Sequence, residues 1–292
     1  MINIGLIVLN YNSSKDTINC VKQLLSFNEP YHIVIVDNCS TDDSFSILCK
    51  EFEKIEFVDV IKNKTNSGYS AGNNFGIKYA IEKYGIEIVG ILNPDVIIPK
   101  ADVIKGIADA LMSDDSFAIG SGIALNANHE YNINNSCWNI PTNSQLVLNH
   151  FLGKKRNKYT RSLKTTKNKI ALTDCVAGCF FLAKVSAMEK IGFFDDNVFL
   201  YNEENILGIK CKQQGFKEIV VLDQIYIHNH AFHKNVKVKF KKKMSMTKNS
   251  FESRKYLCKK YYNKLLIVPL YFIEFLNHIY LFLAYIKNCF QK

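Results

Sequence analysis

An α/β fold around a mostly parallel sheet is what the first hundred residues of this 292-residue chain predict, and three observations predict it. Short apolar runs rich in β-branched residues alternate with segments of helical length and periodicity, the order expected of right-handed βαβ crossovers. The runs are almost continuously apolar, as strands covered on both faces are. Each then ends in polar residues, and in such sheets ligands bind beyond the carboxyl ends of the strands.

Taken in order, "INIGLIVLN" (2–10) is the first strand, and a helical pattern follows from Ser14 to about Phe27. "HIVIVDN" (32–38) is the second strand, after which Asp42-Asp43 open a helix ending near Glu53. "IEFVDVI" (55–61) is the third, a helix spans about 71–84, and "IEIVGILN" (86–93) is the fourth. The strand tips Asn10-Tyr11-Asn12, Asp37-Asn38 and Asn93-Pro94-Asp95 therefore fall on one edge. Beyond them the region 117–185 is less regular, with a polar stretch (126–150), a basic loop and the strand "CVAGCFFLAKV" (175–185). A helix from Glu203, capped by Asn202 and ended by Gly215, precedes the short strand "EIVVLD" (218–223) and a histidine cluster, "IHNHAFHK" (227–234). Two helices close the chain, a basic one at about 237–262 and a very apolar one at about 264–288. This divides the chain into a domain over 1–235 and a helical appendage over 236–292, with no internal repeat and no low-complexity segment.

Composition narrows the classes. Apolar residues make up 48% and charged residues 22%, values of a globular protein with a sizeable core. The formal charge of +10 is concentrated in 154–169 and 234–264. Such blocks suit a solvated face or an anionic surface or substrate; no zinc-ligand spacing, helix-turn-helix or RNA-binding aromatic motif accompanies them, which argues against nucleic acid. Nine scattered cysteines without a CxxC pair read as buried free thiols in a reducing compartment. "MINIGLIVLNYN" lacks a basic leader and a cleavage site, so it reads as a strand and not a signal peptide, and the expected location is the cytoplasm.

The polar clusters carry the chemistry, each beside a plainer alternative. Asp37 in "IVIVDNCSTDDS" is turn chemistry leading into a helix cap, or a carboxylate placed to accept from a nucleobase or ribose. In "NKTNSGYSAGNNFGI" (63–77), Gly72 and Gly76 share a helix face and permit close packing on the sheet. Asn66 and Gly68 stand just before that helix, where free N–H groups suit a phosphate. The stretch is not a dinucleotide fingerprint, because it follows the third strand and has the wrong spacing. Pro94 ends its strand, since proline cannot donate to a ladder; Asp95 beyond it is either part of an ordinary turn or a ligand for a hard divalent cation. Glu203 and Glu204 at a helix start complement the macrodipole, or supply a general base. His228 and His230 are surface polarity, or face a metal or diphosphate together.

In sequence these segments resemble the family 2 inverting glycosyltransferases of GT-A fold, particularly their bacterial rhamnosyltransferase-like branch. "LIVLNYNSSKDTINCVKQL", "IVIVDNCSTDDS", "NSGYSAGNNFGIKYA", "ILNPDV", "GCFFLAKVSAMEKIGFFDDNVFLYNEENILGIKCKQQGFK" and "IHNHAFHK" occur in the family's order over most of 1–235. The resemblance implies that Asn10 and Asp37 contact the base and ribose of a UDP- or dTDP-sugar donor, with Asn66 and Gly68 lining the same pocket. Asn93-Pro94-Asp95 stands at the family's metal-binding Asp-x-Asp motif, implying Mg2+ or Mn2+ on Asp95, with Asn93 replacing the first acid. It implies the base at Glu204, with Glu203 the alternative, and places His228 and His230 by the diphosphate. The implied reaction moves a hexose or deoxyhexose to a hydroxyl of a growing capsule, O-antigen or cell-wall glycan, often lipid-linked. Two rivals are a non-catalytic sugar-binding relative of the same fold, which intact Asp37, Asp95 and Glu204 disfavour, and a Rossmann-type oxidoreductase, which the missing glycine fingerprint disfavours.

The last helix contains "LLIVPLYFIEFLNHIYLFLAYI" (265–286). Its length invites a transmembrane reading, but Pro269, Glu274, Asn277 and His278 oppose a simple span. Flanking lysines and interleaved tyrosines suit a helix lying in an anionic membrane interface, giving a peripheral location at the inner face of the cell membrane. A core or homo-oligomer helix is the alternative.

Overall fold

The computed structural model describes residues 2–148, 164–165, 169–229 and 240–290. The first half alternates as the sequence implies: β1 (Ile4–Asn10), α1 (Ser14–Leu25), β2 (His32–Asp37), α2 (Ser44–Phe52), β3 (Val58–Lys62), α3 (Tyr69–Tyr84), β4 (Ile88–Leu92), β5 (Val96–Ile97) and α4 (Asp102–Met112). There follow β6 (Phe117–Asn126), β7 (Cys137–Trp138), α5 (Asn143–Leu148), β8 (Lys164–Thr165), β9 (Ile170–Thr173), β10 (Cys175–Val176), β11 (Phe180–Lys184) and α6 (Val185–Ile191). The chain continues through α7 (Glu203–Gln213), β12 (Lys217–His228), α8 (Phe240–Tyr261) and α9 (Ile267–Phe290).

The central sheet runs β3-β2-β1-β4-β11-β6-β12-β9-β8, with β5 added against β12. β3, β2, β1 and β4 are parallel, and so are β6 and β12, while β11 is antiparallel to both β4 and β6. The carboxyl ends of β1, β2, β4 and β12 therefore share one edge, and β11 begins there. Alternation along the strands explains two cores. Leu6, Val8, Ile33 and Ile35 pack under α1, α2 and α4, whereas Ile7, Val34 and Val36 pack under α3. α6 and α7 extend that second core through Met188, Ile191, Leu207 and Cys211. Gly76 lets α3 lie directly on the sheet: a Cβ there would come within 2.6 Å of both Ile7 and Val36.

Three sequence expectations are corrected. The run 175–185 is not one strand; β10 pairs with β7 and β11 joins the main sheet, so residues 177–179 form a link between sheets. The short strand at 218–223 continues to His228, because an irregularity between Val220 and Ile225 lets β12 stay alongside β6. Asn202 occupies the position before α7, but its side chain does not cap: its backbone is left-handed (φ 66°) and its amide nitrogen donates to Ser253 Oγ at 2.8 Å.

α8 and α9 are attached through a third apolar cluster, in which Phe251, Leu257, Cys258, Leu270 and Ile273 meet Val198 and Ile206. Phe240 at the start of α8 stacks on Tyr285 near the end of α9, with centroids 4.5 Å apart, so the two helices run side by side in opposite directions.

Candidate active site

Parallel pairing places Asn10 directly beside Asp37 at the tips of β1 and β2. Asn10 Nδ2 donates to Asp37 Oδ2 at 2.9 Å and to Ser40 Oγ at 3.1 Å, and Ser40 N–H donates to Asp37 Oδ1 at 3.0 Å. Thr17 Oγ1 donates to Asn10 Oδ1 at 2.9 Å. Both side chains are fully buried. They form a floor that fixes the loop 38–41, and the surface above it is made by Tyr11, Asn12 and Thr41.

Asn38, one residue on in the same strand tip, is a hub to which sequence reasoning assigned no role of its own. Its Nδ2 donates to Asn66 Oδ1 and to the Gly68 carbonyl, each at 3.1 Å, and its Oδ1 accepts from Asn63 Nδ2 at 2.9 Å. These bonds bring Asn66 and Gly68 beside the β2 tip. They also correct the picture of free N–H groups there: Gly68 N–H donates to Asn66 Oδ1 at 3.1 Å and Tyr69 N–H to the Phe199 carbonyl at 2.9 Å. Gly68 is needed for close approach, since it has φ 98° and a Cβ would meet Phe199 O at 2.2 Å. The loop before α3 is thereby docked on the segment that leads into Glu203.

Asn93, Pro94 and Asp95 stand between β4 and β5, and the short β5 pairs antiparallel with the end of β12. That pairing brings His228 Nε2 to 3.4 Å from Asp95 Oδ2, while Asn229 N–H donates to the Asp95 carbonyl at 2.8 Å. Burial lowers the His228 pKa, but hydrogen bonding to Asp95 and Cys179 outweighs it and lifts the imidazole to about 10. Asn93 N–H donates to the Cys179 carbonyl at 2.8 Å. His230 lies outside the described residues. Among the described residues no three His, Cys, Asp or Glu side chains converge on one point. The part-exposed Asp95 carboxylate nonetheless fits a hard divalent cation that draws most of its ligands from a bound diphosphate.

The two glutamates at the start of α7 are set apart by their surroundings. Glu203 is 6% exposed and its Oε1 has no hydrogen-bond partner among the described residues. Burial, and then the charge of Glu204, push its carboxyl up to about 8, so it keeps its proton at neutral pH. Glu204 is half-buried, and its Oε1 accepts from Gly178 N–H at 3.4 Å. The Gly178 carbonyl accepts from Tyr69 Oη at 2.6 Å. A protonated carboxyl cannot take a proton, which leaves Glu204 the better placed of the two to act as a base.

The Glu203 assignment has a direct test in Glu203→Gln. A carboxyl whose folded pKa is raised contributes stability that is complete below its ordinary value of 4.5 and is lost as pH rises through about 8. Glutamine mimics the protonated form, so both proteins should unfold at similar urea concentrations at the acid end. By pH 8.5 the variant should be more stable by a few kcal/mol at most, on the order of what such a shift implies. A difference independent of pH would mean that Glu203 is ionised in the fold.

The piece that sequence reasoning missed is the link Ala177-Gly178-Cys179. It touches Glu204 and Tyr69 through Gly178, and Asn93, Tyr226 and His228 through Cys179. A signal was present, because a glycine inside an apolar strand pattern marks a close backbone approach. Here a Cβ on Gly178 would lie 2.9 Å from Glu204 Oε1.

Comparison with known proteins gives the family and the fold. Residues 6–192 match the sequence profile described as "Glycosyl transferase family 2". The chain is 25% identical over 226 residues to the low-salt glycan biosynthesis hexosyltransferase Agl10 of Haloferax volcanii, spanning 77% of this chain and 67% of that one. It is 23% identical over 223 residues to the rhamnosyltransferase WbbL of Escherichia coli, spanning 74% and 78%. In structure it is similar to the mannosyltransferase PcManGT of Pyrobaculum calidifontis, solved with GDP-Man and Mn2+: the TM-score is 0.58 at 14% identity, over 93% of this chain and 73% of that one. A likeness at that identity speaks for the fold, which is GT-A.

Proposed function

The chain belongs to glycosyl transferase family 2, and we propose that it moves a hexose or rhamnose-like deoxyhexose from a UDP- or dTDP-sugar to a hydroxyl of a growing cell-surface glycan. A lipid-linked capsule, O-antigen or cell-wall precursor is the acceptor class. The observation that carries this reading is the meeting of three groups at one sheet edge: the Asn10–Asp37 floor, the Asp95–His228 pair and Glu204, with Gly178-Cys179 joining the last two. The hexosyl and rhamnosyl activities in the names of the two relatives agree with the sugar class.

In the mechanism, Glu204 accepts the proton of the acceptor hydroxyl as its oxygen attacks the anomeric carbon. The attack comes from the face opposite the nucleotide. The electron pair of the breaking carbon–oxygen bond leaves with the nucleoside diphosphate, and the anomeric configuration inverts. Gly178 N–H and the hydrogen bond from Tyr69 to the Gly178 carbonyl hold Glu204 in place. The neighbouring Glu203, whose carboxyl is raised by burial to about 8, adds no second negative charge at neutral pH. Asn66, Gly68 and the loop fixed by Asn10 and Asp37 line the nucleotide end. Asp95, with Asn93 beside it, would hold a Mg2+ or Mn2+ ion, whose charge would stabilise the departing diphosphate, and the charged His228 would face that diphosphate.

Thermal shift across a panel of nucleotide-sugars, each with Mg2+ or Mn2+, tests the reading. A UDP- or dTDP-sugar should raise the unfolding midpoint and release its nucleoside diphosphate slowly in the presence of enzyme. If no donor shifted the midpoint and none was turned over, the proposal would fail; a response confined to GDP-sugars would overturn the donor class.

A further inference from the structure

α9 is one-sided in a way that its composition alone does not reveal. Glu274 is turned toward the protein: it pairs with Lys255 of α8 at 3.0 Å, and both side chains are largely buried. His278 Nδ1 lies 2.8 Å from the Glu274 carbonyl of the preceding turn. Leu270, Ile273 and Leu281 fill the seam against the body. The opposite face is apolar and exposed from Leu265, just before the helix, to Leu283: Leu265 is 74% exposed, Phe272 63%, Phe275 61%, and Val268, Tyr280 and Leu283 continue it. Single exposed apolar residues are ordinary, whereas a continuous face of this length marks an interaction surface.

Charge says what covers it. Residues 240–286 carry nine lysines and arginines against two glutamates. Because α8 and α9 run in opposite directions, Lys241, Lys242 and Lys243 lie at the Tyr285 end of the apolar face, and Lys264 lies at the other end beside Leu265. All four are exposed. Cations at both ends oppose a second copy, since α9 against α9 in either direction would bring like charges together. They match a layer of anionic headgroups flanking an apolar interior. The 23-residue stretch Lys264–Ile286 is long and apolar enough to cross a bilayer. The Lys255–Glu274 pair and the stacked Phe240–Tyr285 nevertheless keep it against the charged α8 along its length.

We infer that the outer face of α9, bracketed by Lys241–Lys243 and Lys264, is a docking surface for an anionic lipid bilayer, on which the helix lies in the plane of the interface. The seat is tied to the catalytic end of the molecule, because Ser253 of α8 accepts from Asn202, the residue before Glu203. This inference does not depend on the donor or on the base assignment.

Co-sedimentation of the full chain with vesicles tests it without any activity readout. Vesicles of phosphatidylcholine with about one-third phosphatidylglycerol should pellet the protein, and added salt should weaken the binding. Phe272→Glu with Phe275→Glu should reduce partitioning about tenfold or more. Their side chains point outward, so an unchanged thermal midpoint checks that the fold is kept. Replacing Lys241, Lys242 and Lys243 by glutamate should weaken binding to the anionic vesicles while leaving the weaker binding to pure phosphatidylcholine unchanged. Failure of the full chain to pellet, or equal pelleting of the double variant, would overturn the inference. So would a dimer in solution that the double variant disperses and that does not bind vesicles, which would assign the face to a second copy.

Discussion

Glu204→Gln should abolish sugar transfer while leaving donor binding intact, with kcat falling about 10²–10⁴-fold, the span of a lost general base. Glutamine keeps the volume, and its carbonyl oxygen can still accept from Gly178 N–H, so the contact that positions the side chain survives. What is lost is proton affinity. The signature is therefore a drop in kcat with little change in the KM for donor, because the contact with Gly178 N–H is kept. Glu203→Gln is the internal control. Its carboxyl is buried and holds its proton, so that substitution should alter the pH dependence of stability more than the rate at neutral pH. Normal turnover by Glu204→Gln would refute the base assignment, and a dead Glu203→Gln enzyme beside an active Glu204→Gln enzyme would move the base to Glu203.

The sheet edge was legible in the sequence for a simple reason. Parallel strands separated by helices must end on one side, so the tips at Asn10, Asp37 and Asn93 had to share one edge before any distance was known. The pairing of Asn10 with Asp37 follows from that register. Other relationships carry no local periodicity and stayed hidden. Asp95 meets His228 only because β12 passes an irregularity and runs on far enough to pair with β5, and nothing in "EIVVLD" announces that continuation. Gly178 links Glu204 to Tyr69 because β10 leaves the main sheet to join β7, which the apolar run 175–185 conceals. The division of labour between Glu203 and Glu204 is a matter of burial, and adjacent identical residues give no sign of which one faces inward.

The acids before α7 show the same limit, and one of them is the second place where a single substitution should have a large effect. Asp195 is buried and accepts from Tyr256 Oη at 2.8 Å, Lys260 Nζ at 2.7 Å and Tyr261 Oη at 3.0 Å, all from the end of α8, and from Asn197 Nδ2 at 2.9 Å. Burial opposes its ionisation, but the bonds from Lys260, Asn197 and Tyr256 outweigh burial and hold the carboxyl well below the usual range. Asp195→Ala leaves two phenols and an ammonium without their acceptor. Because Lys260 is half exposed and can turn to water, the expected cost is about 2–3 kcal/mol, below that of breaking a fully buried pair. A depressed carboxyl contributes stability that is present above its unfolded pKa and is lost as pH falls through the folded value. Wild type and variant should accordingly converge in strongly acidic solution and differ most near neutrality. The loss should also be local. Amide exchange in α8 and α9 should accelerate at least about tenfold while β1, β2 and β4 stay protected, since the side-chain bonds described for Asp195 run to the end of α8 and to Asn197. Through the Asn202–Ser253 bond the start of α7 should loosen with the helices, lowering kcat more than donor affinity. Uniform acceleration across the whole chain, or an unchanged unfolding midpoint, would show that the carboxylate does not fasten the helical pair to the catalytic domain.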